Sequence, residues 1–283
     1  MSRMENVAIA KENMEYMLAG HYIKAGKEIP FKLSHEEMLE VEVFSPERIE
    51  QIKDMYKEVH IDHNSRLLIN VTNCDTLKAA YNLYKKDKRN VLVMNFANAT
   101  HAGGGYLTGS VAQEECLCRQ STLYASISSK KAQEMYSFND KKRLPFDSDY
   151  MLLSKNVEVF RDSNNELLDK SFVTSVLTIP APNLFGRAAD ETQEDIDLMM
   201  KHRIRNFFTV AIEFGYKHLV LGAWGCGAFG HDARKVAGYF KQLLFEDGFK
   251  DYFDTIEFAV LDTTYTKYNY HSFLEVFSTQ YAF

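Results

Sequence analysis

The chain has no run approaching the ~20 consecutive apolar residues of a membrane helix. Its opening, Met1-Ser-Arg-Met-Glu-Asn6, leads into a charged helical pattern and not into a signal peptide. A cytoplasmic protein without a membrane partner is expected. Cysteine is scarce: Cys74, Cys116, Cys118 and Cys226 show no C-x-x-C spacing and no nearby paired histidines, which excludes the usual structural zinc and dithiol motifs. The thiols read as reduced, and Cys226 as a small residue inside a glycine loop. The nine histidines form no metal-like cluster, and no Ser-His-Asp or Cys-His order is legible. Neither a metal nor a cofactor is expected. Basic residues are also in deficit, 33 Lys and Arg against 39 Asp and Glu, for a net charge of −6. That balance opposes a broad basic face tracking DNA or RNA. An anionic ligand would instead need local dipoles, which glycine-loop N–H groups and helix N-termini supply without changing net charge.

What is present is a soluble-protein composition, with 46% hydrophobic and 25% charged residues in 283. The length suits one large domain or two small ones. The first sixty residues read as helical, with one helix from Glu5 to Ala19 stopped by Gly20 and another opening after Ser45-Pro46. We therefore expect an N-terminal helical extension over 1–60, packed on a main domain over 61–283. From Leu67 the rhythm changes. Leu67 to Val71 is strand-like, Asp75 or Thr76 can cap a helix over Leu77 to Lys85, and Val91 to Phe96 is the next strand. Strands at Val157–Phe160 and Phe172–Ile179 flank the turn-rich Asp162-Ser-Asn-Asn165 and suggest a hairpin. A long helix over Thr192 to Phe214 precedes His218–Leu221, a helix over Asp232 to Phe245, a strand at Ile256–Leu261 and a last short helix near His271 to Phe277. This alternation predicts an α/β fold with a parallel or mixed sheet. Residues 128 to 149 carry no clear pattern beyond a possible turn of helix. No internal repeat or low-complexity segment is visible.

Two glycine loops stand out. In Asn95-Phe-Ala-Asn-Ala-Thr-His-Ala-Gly-Gly-Gly-Tyr-Leu-Thr-Gly-Ser-Val-Ala-Gln-Glu-Glu115 a buried strand runs into a triple glycine and then a helix. Glu114 and Glu115 fall in its opening turns, where the dipole favours carboxylates and bound anions. Neighbouring helical residues point ~100° apart, so one glutamate can hold a ligand while the other reacts. Glutamates in a first turn are ordinary dipole chemistry, and alone they would be weak signals. The second loop, Gly222-Ala-Trp-Gly-Cys-Gly-Ala-Phe-Gly230, follows a strand and precedes a helix. Gly225-x-Gly227-x-x-Gly230 formally fits the dinucleotide fingerprint and raises a nicotinamide-dependent oxidoreductase as a rival. Only about twenty residues remain after Asp262, too few for the further βα units of a Rossmann half. Trp224 and Phe229 read as core, lid or stacking residues. A diphosphate cradle beside a carboxylate pair fits glycosidic cleavage next to a nucleotide, with one Glu as general acid.

The segment Asn95 to Glu115, with Gly103-Gly-Gly105, seven residues and then Gln113-Glu-Glu115, resembles the signature of the poly(ADP-ribose) glycohydrolases, most of all their bacterial-type branch. Val157-Glu-Val-Phe-Arg161, Ser175 to Asn183 and Gly222 to Gly230 resemble that branch in the same order, so the likeness covers roughly residues 45 to 280. The resemblance implies a macrodomain-like α/β/α sandwich around a mixed, mostly parallel sheet, binding ADP-ribose at the strand ends. It implies Glu115 as the catalytic acid and base and Glu114 as the partner that holds the ribose hydroxyls. Gly103, Gly104 and Gly105 would lie against the distal ribose and diphosphate, Asn98 near that ribose, and Gly225, Cys226, Gly227, Ala228 and Phe229 around the diphosphate, with Gln113 a further ADP-ribose-binding residue. Asp75 is the candidate for the adenine amino group. The implied partner is poly(ADP-ribose) or an ADP-ribosylated protein, with ADP-ribose as product. His101-Ala102 departs from the Asn-Pro familiar before the triple glycine, and Leu184-Phe-Gly-Arg187 is distinctive. Relatives that remove single ADP-ribose units or only bind the nucleotide keep two alternatives open. Each polymer unit adds two negative charges, so an acidic chain gains little by lying along many units, which favours exo-acting removal of terminal ADP-ribose.

Overall fold

The computed structural model describes residues 1–56, 67–86 and 91–278. In chain order its elements are α1 (Arg3–Ala19), β1 (His21–Lys24), β2 (Lys27–Pro30), α2 (His35–Leu39), β3 (Glu42–Phe44), α3 (Pro46–Tyr56), β4 (Leu68–Thr72), α4 (Thr76–Lys86) and β5 (Val91–Ala97). After the glycine loop come α5 (Gln113–Gln120), α6 (Leu123–Ile127), α7 (Gln133–Lys142), β6 (Met151–Arg161), β7 (Leu167–Pro180), α8 (Gln193–Glu213), β8 (His218–Leu221), α9 (Ala233–Phe245), β9 (Thr255–Ala259) and α10 (Tyr268–Ser278).

Seven strands form one sheet in the order β3-β6-β7-β5-β8-β9-β4. From β7 to β4 every neighbouring pair is parallel, while β6 pairs antiparallel with both β7 and β3. Both faces of the sheet are apolar, as parallel strands covered by helices require. Along β5, Leu92 and Met94 pack into a core with α8 and α9, whereas Val91 and Val93 face the opposite core with α4 and α5. The result is helix, sheet and helix in three layers.

Local signals account for most boundaries. Thr192 caps α8 by accepting from the Asp195 backbone N–H, Asp232 caps α9 by accepting from that of Lys235, and Gly20 ends α1 at φ 76°. The reading of the first sixty residues as helical is corrected: β1 and β2 form a separate hairpin, and β3 joins the main sheet. Those strands are three and four residues long, too short to show a period against the helices around them. The boundary at 60/61 lies outside the described residues. The patternless stretch contains α7, whose buried face is only Met135, Tyr136 and Asn139.

All five parallel strands point the same way, so the segments after β4, β5, β7, β8 and β9 meet along one edge of the sheet. Both glycine loops lie there.

Candidate active site

A cleft of about 430 Å³ opens at this edge. Asp75, Thr76, Val260, Leu261 and Asn269 line one part; Gly225, Gly227, Ala228 and Phe229 line another; Asn98, Gly104, Gly105, Gln113, Glu114 and Glu115 complete it. Such a cleft outside the carboxyl ends of parallel strands is where open α/β sheets bind ligands.

Gln113 sets the position of α5. The β5–β8 ladder stops at Val93 and Val220, whereas β5 stays paired with β7 as far as Ala97. Beyond Val93 the Gln113 side chain takes over the vacated ladder positions: its Nε2 donates to Met94 O at 2.8 Å and its Oε1 accepts from Phe96 N at 2.9 Å. The amide thus continues the sheet for one step, and its polar atoms are spent on the strand.

The first turn of α5 then aims both glutamates inward. Glu114 is 3% exposed, accepting from Asn98 N at 2.8 Å and from Asn95 Nδ2 at 3.3 Å. Burial pushes its carboxyl up to about 8, against the lowering effect of those hydrogen bonds. Glu115 is 7% exposed; its Oε1 accepts from Gly105 N at 2.8 Å, and its Oε2 has no hydrogen-bond partner among the described residues. One glutamate is locked at both oxygens, and the other has one buried oxygen without a partner among the described residues. Ala112 caps α5 without a side-chain hydrogen bond, so the positive end of the helix faces the cleft that Ala112 also lines.

Glycine is required where the loop meets these carboxyls. At Gly104, φ is +54°, and a Cβ would lie 2.5 Å from Glu115 Oε1 and 3.2 Å from Glu114 Oε2. Gly225 has φ +77°, with His231 Cδ2 2.6 Å from where a Cβ would stand. His231 is itself fixed by its Nε2 contact with Pro182 O at 2.7 Å, and burial lowers its pKa. The Asn98 Oδ1 accepts from Thr100 N and His101 N, both at 2.9 Å, and so shapes the start of the first loop.

Not every residue named from the sequence reaches the cleft. Gly103 is turned toward Tyr124 and Cys118, and the Cys226 side chain packs against the core, so neither lines it. Trp224 borders the cleft but is fully buried, with its Nε1 donating to Ile179 O at 3.1 Å, a core residue that tethers the second loop to β7. Asp75 lines the cleft while capping α4 through Oδ1 and accepting from Gln120 Nε2 at 3.0 Å through Oδ2. Sequence reading missed Thr76, Val111, Ala181, Ala223, Val260, Leu261 and Asn269. Val111, Ala181 and Ala223 lie inside the motif segments but are small or apolar and were passed over, Val260 and Leu261 directly follow β9, and Thr76 and Asn269 open the helices that follow β4 and β9.

A family model described as the microbial-type PARG catalytic domain matches residues 10–162. The chain belongs to this microbial-type PARG family. The match begins inside α1, and so takes in most of the segment expected to be an extension. Among solved structures, the chain is similar to the poly(ADP-ribose) glycohydrolase of Thermomonospora curvata at 33% identity and TM-score 0.89, covering 97% of this chain and 100% of that one. The same enzyme bound to the inhibitor ADP-HPD aligns with TM-score 0.87 at the same identity and coverage. The Deinococcus radiodurans enzyme in complex with ADP-ribose is 30% identical with TM-score 0.79, covering 89% of this chain and 99% of that one. A comparison with curated protein sequences yields no match. Family and fold together make this PARG-type chain a glycohydrolase, and the rival oxidoreductase reading of the second glycine loop is set aside.

Proposed function

We propose that this PARG-type glycohydrolase hydrolyses the ribose–ribose bond of poly(ADP-ribose) from the free end, releasing ADP-ribose, with Glu115 as general acid and base in a macrodomain-like cleft. The observation that carries the reading is the asymmetry of the pair: Glu114 is held at both oxygens, whereas Glu115 is anchored through Oε1 and has Oε2 unpartnered. Glu115 gives its proton to the bridging oxygen as the bond to C1 of the distal ribose breaks and positive charge develops on that ring. Its carboxylate then takes a proton from water, and the hydroxide adds to C1. Glu114 holds the ribose hydroxyls. The N–H groups of the two glycine loops and the α5 N-terminus receive the diphosphate, and Asp75 receives the adenine amino group.

The net charge of −6 supports action at chain ends and opposes a DNA or RNA partner. Among the described residues no helix is long and apolar enough to cross a membrane, and no group of metal-ligating side chains assembles. We take the cytoplasm as the working compartment.

Glu115→Gln should abolish release of ADP-ribose from automodified acceptor while ADP-ribose binding, measured calorimetrically, stays within a few-fold. Retained turnover would remove Glu115 from its role. Parallel assays on ADP-ribosyl-glutamate and ADP-ribosyl-arginine decide whether single units attached to protein are also released; cleavage of these alone would replace the polymer as substrate.

A further inference from the structure

The cleft described above accounts for one ADP-ribose, yet the bond to be broken has a second side. Its leaving oxygen is the 2′-oxygen of the next unit's adenosine, so an adenine lies one ribose beyond Glu115 and a diphosphate a little further. That next unit must leave the cleft away from the Asp75 and Asn269 end, past the loops that follow β5 and β7. Two features at this rim play no part in the chemistry described so far.

The first is Phe185, in the Leu184-Phe-Gly-Arg187 segment just beyond cleft-lining Ala181. Its ring is 77% exposed, yet its place is defined, because a Cβ on Gly230 would stand 2.7 Å from it. The backbone of the segment is tied to the second glycine loop by Leu184 N donating to Phe229 O at 3.1 Å. An exposed but positioned aromatic ring is a stacking surface for a base.

The second is the end of α7, where Lys141, Lys142 and Arg143 are all exposed beside the single Asp140. In a chain with a net charge of −6, three cations in consecutive positions are a local reversal of sign. This helix end is fastened to the catalytic loop by Asn139 Nδ2 donating to Ala99 O at 2.9 Å, next to Asn98. It is fastened to the Phe185 segment by Arg187 Nη1 donating to Asn139 O at 2.9 Å, with Asp147 balancing that guanidinium. Aromatic ring and cations are thus joined through Asn139 into one rim, which connects through Ala99 and Asn98 to Glu114.

We propose that this rim is a leaving-unit subsite: Phe185 stacks on the adenine of the penultimate ADP-ribose, and Lys141, Lys142 and Arg143 receive its diphosphate. The inference rests on the polymer reading given above and adds to it a preference for a nucleotide on the leaving side. A small basic rim engages one unit and is compatible with an acidic chain that acts only at ends.

Binding in the idle Glu115→Gln background tests the subsite, with ADP-ribose and a purified ADP-ribose trimer as probes. The trimer should bind about tenfold more tightly than ADP-ribose, with an advantage that shrinks as salt is raised. Phe185→Ala, and separately Lys141→Glu with Lys142→Glu and Arg143→Glu, should erase the advantage while ADP-ribose affinity stays within about twofold. Equal affinity for the two probes, or equal weakening of both by the rim variants, overturns the subsite. If the trimer advantage and its loss are observed but the unmodified chain releases no ADP-ribose from polymer, the hydrolase reading fails and the subsite stands.

Discussion

Glu114 shows how one buried carboxyl reports on the whole site. Its pKa, raised from 4.5 to about 8 chiefly by burial, means that the folded chain holds a proton which the unfolded chain has lost between those two values. Unfolding in that window releases the proton, so the Glu114 contribution makes stability fall as pH rises from about 4.5 to 8, by an amount of order a few kcal/mol. Glu114→Gln should flatten that slope and raise stability at pH 8 in urea titrations; an unchanged slope would show the carboxyl ionised in the folded state. The amide has room to be accommodated, because Asn95 Oδ1 lacks a partner among the described residues and can accept once Asn95 turns over. Gly104→Ala should behave differently. Its Cβ would meet both carboxyls at a φ unfavourable to alanine, so release should fall at least ~100-fold for a stability loss of only ~1–3 kcal/mol by thermal melting.

Among the elements, α5 is the one whose sequence carried the most and concealed the most. Gln113-Glu-Glu115 marked the site by motif, and the inward turn of both glutamates follows from their place in the first helical turn. The job of Gln113 was not legible, because nothing local reveals that β8 stops one step short and leaves Met94 and Phe96 to be matched by a side chain. Gln113→Ala should leave two strand groups unmatched, costing ~2–4 kcal/mol in melting experiments, and should lower turnover on polymer more than ADP-ribose affinity, since α5 carries Glu115, the acid of the proposed mechanism. The hairpin of β6 and β7 was readable from its turn, where Asp162 N donates to Glu166 O and Asn165 adopts φ +64°. The leading part of β6, Met151 to Leu153, was not, because it is apolar on both faces and followed a stretch without period. Gly103 and Cys226 were drawn toward the ligand by adjacency within their motifs; the direction of one residue in a loop depends on dihedral angles that spacing does not encode.

At the scale of the molecule, the alternation of strands and helices gave the class of fold, but not what stands behind the triple-glycine loop. Helix α1 does. Asn6 Nδ2 donates to Gly109 O at 3.3 Å, Arg3 Nε to Thr108 O at 2.7 Å and Asn13 Nδ2 to Arg119 O at 2.7 Å, closing over buried Tyr106. No periodicity in residues 3 to 19 could announce this, since the buried face of α1 includes the polar pair Asn6 and Asn13. Removing residues 1–19 should leave a folded sheet by circular dichroism while kcat/KM on polymer drops by an order of magnitude or more, because the triple-glycine loop loses its rear support. Full activity in the truncated chain would assign α1 to stability alone.

The ties between α1 and the loop also have a consequence in time. They join residues 93 to 106 positions apart, so α1 waits during synthesis for about a hundred further residues before it meets the surface it covers. During synthesis the glutamate pair therefore acquires its backing only after α5 has been made, and a refolding chain should regain sheet structure before it regains the ability to bind ADP-ribose.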